Sequence, residues 1–263
     1  MRLVAGDASI EVDPDVGGRL VSWRVGDLEL LGARSGVPEE YGCYPMAPWP
    51  GRLRGNEVQV GRERHEMEPT YAGWAMHGTV LARAWEVEVL GPSSVQMSID
   101  LGSTWPWAGR THLTWSLHGQ SLTSQLTVTS AAVPFPAEVG WHPWFLRRLE
   151  RGDDVAWSAA AVAMLERGDD HLPTGRRFAP TDVDGPYDDA FDVPDGRVEL
   201  RWPGALSLSC QSSARWVVVF DELPDFVCVE PQTGPPDGLR EAELVRPGRP
   251  KTASTTWTWT SLV

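Results

Sequence analysis

Apolar residues fall on every second position along most of this chain. The pattern is plain in RLVSWRV (19–25), SVQMSIDL (94–101), HLTWSL (112–117), SLTSQLTVTS (121–130), RVELRW (197–202) and STTWTWTSL (254–262). A period of two places alternate side chains on opposite faces of an extended backbone, so each stretch predicts a strand with one buried face. SIEV (9–12), EVQV (57–60), AWEVEVL (84–90), ALSLSC (205–210), RWVVVF (215–220) and FVCVE (226–230) add further strands, rich in Val, Thr and Trp. Turn sequences such as DPDVGG, GPSS, HGQS, RWPG and DELPD separate them. Long helical periodicity is absent, and nothing repeats at the fixed period of a propeller or solenoid. The expectation is an all-β fold: one large antiparallel β-sandwich or barrel, with residues 1–263 forming a single domain. The polar stretch RGDDHLPTGRRFAPTDVDGPYDDAFDV (167–193) predicts a long loop, and EAELVRPG (241–248) reads as a helical turn or a strand.

Charge narrows the partners. The net charge of −13 at pH 7 repels polyanions over long range, which argues against nucleic acid and against an anionic membrane surface. The longest apolar runs, AAAVAML (159–165) and WVVVF (216–220), fall far short of the roughly 20 residues a membrane-spanning helix needs. MRLVAGDASIEVDPD lacks the apolar centre of a secretory signal. Cys43, Cys210 and Cys228 are widely spaced, with no disulfide framework and no metal knuckle. These features predict a cytoplasmic protein. The 14 tryptophans offer flat apolar faces with one edge donor each, which suit both a packed core and the C–H faces of a sugar.

Polar residues break the alternation at a few places. In GWHPWF (140–145), Pro143 biases His142 toward extended backbone and holds an ionisable ring between Trp141 and Trp144, in a strand end or loop. A core histidine with both nitrogens satisfied is the alternative. PWPGRLRGN (48–56) carries Arg52 and Arg54, and AMHGTV (75–80) carries His77 before Gly78, where backbone can approach closely. FVCVEPQTG (226–234) ends an apolar run on Glu230, which reads as a general base or as half of a structural ion pair. YDDAFD (187–192) supplies Asp188 and Asp189 without the spacing of a calcium loop. No histidine pair has zinc spacing, so no metal is expected.

Taken together and in order, PWPGRL, MHG, GWHPWF, YDDAF and VEPQT resemble the aldose 1-epimerases, or galactose mutarotases, along essentially the whole chain. The resemblance implies a large antiparallel supersandwich that interconverts the α and β anomers of an aldohexose such as galactose or glucose without a cofactor. It implies His142 as the general acid and Glu230 as the base. Arg52, His77 and Asp188 (or the adjacent Asp189) would bind the sugar, with Trp141 and Trp144 beside it. Gly51 stands where the family has asparagine and Thr79 where many members have a second glycine. HPWF replaces an asparagine–histidine–serine version and points to a divergent branch. The partner implied is a small aldose, and the protein a monomer or homodimer.

Ring opening removes a proton from the C1 hydroxyl and delivers one to the ring oxygen, so it needs an acid and a base poised together. The neighbouring Glu230 carboxylate is expected to outweigh desolvation by the tryptophans and keep His142 cationic. Two other readings stay open. A hexose-6-phosphate 1-epimerase would use Arg54, Arg83 or Arg110 at the sugar's C6 end, and a non-catalytic sugar-binding protein could keep the same fold.

Overall fold

The computed structural model describes residues 1–182 and 184–262. Two large sheets carry the fold, and every strand pairing within them is antiparallel. The first has 11 strands. Its centre runs in space from Arg19–Val25 through Cys43–Met46, Gly140–Leu146, Phe226–Gln232 and Trp216–Phe220 to Asp188–Asp192. The second has 8 strands, with Leu206–Ser212, Lys251–Ser261, Ser121–Ser130 and Gly109–His118 at its middle. The only helical elements among the described residues are short 3-10 turns.

Tryptophans on the inward faces join the sheets. Trp23 lies edge-on to Trp257 and Trp259, with centroids 5.9 and 6.0 Å away, and Phe145 meets Trp202 at 6.1 Å. Two indole N–H groups find acceptors across the layer: Trp115 donates to the Gly18 carbonyl and Trp202 to that of Leu146, each at 3.0 Å. A buried tryptophan hides about 150–250 Å². At roughly 25 cal/mol per Å² each contributes about 4–6 kcal/mol before its ordering entropy is subtracted.

The alternation located most strands, and 19–25, 57–60, 121–130 and 197–202 match to the residue. Two expectations need correction. The predicted loop 167–193 contains strands Pro173–Phe178 and Asp188–Asp192, which extend the first sheet; Val183 in that stretch lies outside the described residues. Its polar composition reflects an exposed face, not absence of pairing. GWHPWFL (140–146) is a strand throughout, not a strand end. Its ladder to Phe226–Gln232 pairs Gly140 with Gln232 and Trp144 with Cys228 but skips the positions around Pro143, which has no N–H to give. EAELVRPG contributes only the two-residue strand Leu244–Val245.

Candidate functional site

The site lies on the face of the first sheet turned away from the tryptophan layer. Strand pairing lays two rows of side chains there. Tyr44 pairs with His142, and Glu230 with Val218. The register between 140–146 and 226–232 sets His142 opposite Glu230, which completes the first row. The second row, two residues along, runs Trp144, Cys228, Phe220, Asp188. All but Tyr44 and Cys228 line a cavity of about 190 Å³.

His142 Nε2 is 3.2 Å from Glu230 Oε1, and both residues are buried. The imidazole stacks between Tyr44 (4.8 Å) and Trp144 (5.5 Å) and meets His77 edge-on at 5.1 Å. Its Nδ1 is buried without a hydrogen-bond partner. His77 comes from a loop locked onto residues 47–51. His77 N–H donates to the Gly51 carbonyl (2.9 Å), Thr79 N–H to that of Ala47 (2.9 Å), and Gly51 N–H to His77 Nδ1 (3.1 Å). That last bond assigns the proton of neutral His77 to Nε2. Gly78 makes the approach feasible: its φ is +85°, and a Cβ there would sit 1.9 Å from the Ala47 oxygen.

Asp188 stands at the other end of the second row beside two guanidiniums and an imidazole. Arg167 reaches it at 3.0 Å, Arg52 at 3.6 Å and His171 Nδ1 at 3.6 Å. Asp188 lines the cavity, whereas Asp189 accepts the Asp188 N–H and leans on Arg167. Burial dominates the titration here. It lowers His142 to about 3 and holds His77 well below the ordinary histidine range. Burial first, then the charge of Asp188, raises Glu230 well above the carboxylate range, while Arg52 works in the opposite direction. The expectation of a cationic His142 is therefore reversed. The resting pair is a neutral imidazole beside a carboxyl group that retains its proton more strongly than usual, because burial disfavours either charged form.

Arg52, His77, His142, Trp144, Asp188 and Glu230 thus line one cavity. Trp141 does not, which corrects its assignment beside the sugar. Alternation turns it into the inter-sheet core, where it is fully buried, meets Trp257 at 6.2 Å and donates to Ser124 Oγ at 2.8 Å. Arg54, Arg83 and Arg110 are engaged elsewhere, with Asp237 and Asp170, with Asp100, and with Glu86 respectively. Sequence reasoning missed Tyr44, Arg167 and His171, and also Glu39, Tyr71 and Gln232 on the cavity wall. Gln232 alone carried a local signal, two residues after Glu230 and so on the same strand face.

His142, Cys228 and Glu230 also bring three donor atoms within 4.8 Å of one another. Burial raises the Cys228 thiol well above its ordinary range, and Nε2 and Oε1 already face each other at hydrogen-bond distance. The trio is thus a proton-sharing pair over a neutral thiol, a poor ligand set in that state.

A two-sheet antiparallel sandwich with a buried histidine–carboxylate pair on one outer face defines a class, the mutarotase-like folds. The aldose 1-epimerase family model matches residues 6–238, and the chain belongs to that family. It is 30% identical over 233 residues to the uncharacterized protein YphB of Escherichia coli K12, covering 81% of this chain and 80% of that protein. Among solved structures it is similar to a galactose mutarotase-like protein from Lactobacillus casei (TM-score 0.82, 16% identity, 99% of both chains). It is also similar to galactose 1-epimerase from Lactobacillus acidophilus (TM-score 0.80, 14% identity, 97% of this chain and 92% of that one).

Proposed function

We propose that the protein is an aldose 1-epimerase acting on an aldohexose such as galactose or glucose. The observation that carries this reading is the 3.2 Å approach of His142 Nε2 to Glu230 Oε1 in a cavity that Arg52, His77 and Asp188 also line. The neutral pair and the ion pair contain the same protons. A sugar hydroxyl hydrogen-bonded to Glu230 stabilises its carboxylate and moves the shared proton to Nε2. The carboxylate then takes the proton of the C1 hydroxyl, whose electrons form the C1=O double bond. The bond from C1 to the ring oxygen breaks, and that oxygen takes the proton from Nε2. Rotation about C1–C2 and the reverse transfers close the ring on its other face, with no net change in the protein. Arg52, His77 and Asp188 hold the hydroxyls so that the reacting atoms stay aligned.

Polarimetry on freshly dissolved α-D-galactose and α-D-glucose tests the reading. The protein should speed the return to anomeric equilibrium above the solvent rate. Glu230→Gln and His142→Asn should each lower the rate by about 10²–10⁴-fold, and by similar factors. A fully active form of either variant would reject the assignment. Sugar binding by calorimetry without any rate enhancement would favour a non-catalytic binding protein.

A further inference from the structure

Of the polar side chains on the cavity wall that the proposed proton transfers leave without a role, Gln232 and Glu39 have no side-chain partner among the described residues. Gln232 is fully buried, and neither its Nε2 nor its Oε1 has a hydrogen-bond partner. It lines the cavity two residues beyond Glu230 on the same strand. Gly140, directly across the sheet, leaves room for it: a Cβ there would meet the Gln232 Cβ at 2.7 Å. A buried amide with both ends unpaired costs about 1–3 kcal/mol, so such a group calls for a ligand that completes it.

Glu39 is 8% exposed and also lines the cavity. Its main chain is fixed against the catalytic ring's own stack, because its carbonyl accepts the Tyr44 hydroxyl and the Trp144 indole N–H, each at 3.0 Å. Among the described residues, no other side chain donates to its carboxylate and no ion pair reaches it. Its neighbour Glu40, by contrast, is held by Arg34 (3.2 Å) and the Tyr71 hydroxyl (2.5 Å). Arg19, whose charge favours the Glu39 carboxylate, spends its donors on the carbonyls of Val16, Pro38, Tyr41 and Leu81. Burial accordingly raises the Glu39 carboxyl above its ordinary range.

The guanidiniums on the wall are already matched by carboxylates, Arg34 by Glu40 and Arg52 by Asp188. Apart from Arg52 Nε and His142 Nδ1, which are also buried without a partner, the spare hydrogen-bonding capacity comprises an uncharged amide and an acidic group. An anionic substituent placed beside Glu39 would meet an acidic group that no ion pair offsets, while the charge of Arg52 is already shared with Asp188.

We propose that Gln232 and Glu39 are substrate-binding residues that read sugar hydroxyls, and that Glu39 selects uncharged aldoses over phosphorylated ones. This inference rests on the epimerase reading. Gln232 both donates to and accepts from a hydroxyl, while Glu39 accepts a hydroxyl hydrogen. A hydrogen bond to a charged group contributes about 1.5–3 kcal/mol, or roughly 10–100-fold in affinity.

The test measures kcat and KM on α-D-glucose and α-D-glucose 6-phosphate for the wild type, Gln232→Leu, Glu39→Gln and Glu39→Asp. Gln232→Leu and Glu39→Gln should each raise KM for glucose about tenfold or more, with a smaller change in kcat. Glu39→Gln should also reduce the preference for glucose over its 6-phosphate at least about tenfold, and Glu39→Asp, which keeps the charge, should retain it. Unchanged KM in both variants, or an unchanged preference in Glu39→Gln, overturns the proposal. A wild type that prefers glucose 6-phosphate also overturns it. If the wild type turns over neither sugar, the epimerase reading fails. The binding proposal is then decided by calorimetry with glucose, where equal affinity of the wild type and the Leu and Gln variants rejects it. If Glu39→Gln does not fold, the wild-type preference and the Glu39→Asp constants decide the charge argument.

Discussion

His142 Nε2 and Glu230 Oε1 stand 3.2 Å apart because Gly140–Leu146 and Phe226–Gln232 are neighbouring antiparallel strands whose register sets the two residues face to face. Neither residue is near the other in sequence. Their coupling makes the pair, not either residue, the unit that titrates.

The alkaline limb of kcat/KM should therefore lie well above the ordinary carboxylate range near 4.3, because burial and the Asp188 charge raise Glu230. Activity should fall as the pH rises and the pair loses the proton it shares, which leaves no acid for the ring oxygen. Asp188→Asn removes a like charge and should move the limb to lower pH. Arg52→Met removes the opposing charge and should move it to higher pH. A wild-type limb near pH 4, or one indifferent to Asp188→Asn, contradicts this electrostatic account.

Folding stability carries a second signature. His142 is held neutral down to about pH 3, whereas an unfolded histidine takes a proton near pH 6.5. Its contribution is thus fully present above about pH 6.5 and is lost as the pH falls toward 3. Glu230 titrates with the opposite sign, so the comparison belongs in a Glu230→Gln background. Between pH 7 and 5 that variant should lose about 2 kcal/mol more than the double variant that also carries His142→Asn. Parallel urea-unfolding profiles for the two would exclude a buried neutral imidazole.

Gly78→Ala should disturb both stability and function. At φ +85° with the Ala47 oxygen 1.9 Å from the added methyl, the loop that carries His77 has to move. Left-handed backbone costs about 1–2 kcal/mol for alanine, and the overlap adds about 1–3 kcal/mol. A thermal scan should show a lower Tm, and polarimetry a weaker affinity for sugar as His77 shifts. A wild-type Tm would mean that the loop accommodates the methyl without strain.

The two tryptophans flanking His142 should separate cleanly. Trp144→Leu removes the ring stacked on the imidazole at 5.5 Å and should lower kcat/KM more than stability. Trp141→Leu opens the inter-sheet core and leaves Ser124 without its donor, at a cost of about 3 kcal/mol or more, with kcat changed little in the protein that remains folded. Equal effects of the two changes on rate would contradict their placement on opposite sheet faces.

The sequence by itself determined the strands and the sandwich. Period-two alternation is a local property, and residues such as those of 19–25 and 121–130 announce their buried faces without reference to anything distant. It also marked His142, Glu230, Arg52 and His77, because polar residues break the alternation there, and Asp188 through the resemblance of YDDAF to the family's motif. Only the tertiary structure decided that Trp141 belongs to the core, that 167–193 contains strands, and that Gln232 and Glu39 reach the same cavity as Glu230. It also reversed the expected charge of His142, since the amount of water left around a ring depends on everything packed over it. Pairing register and desolvation arise from contacts between distant segments, and no window along the chain contains them.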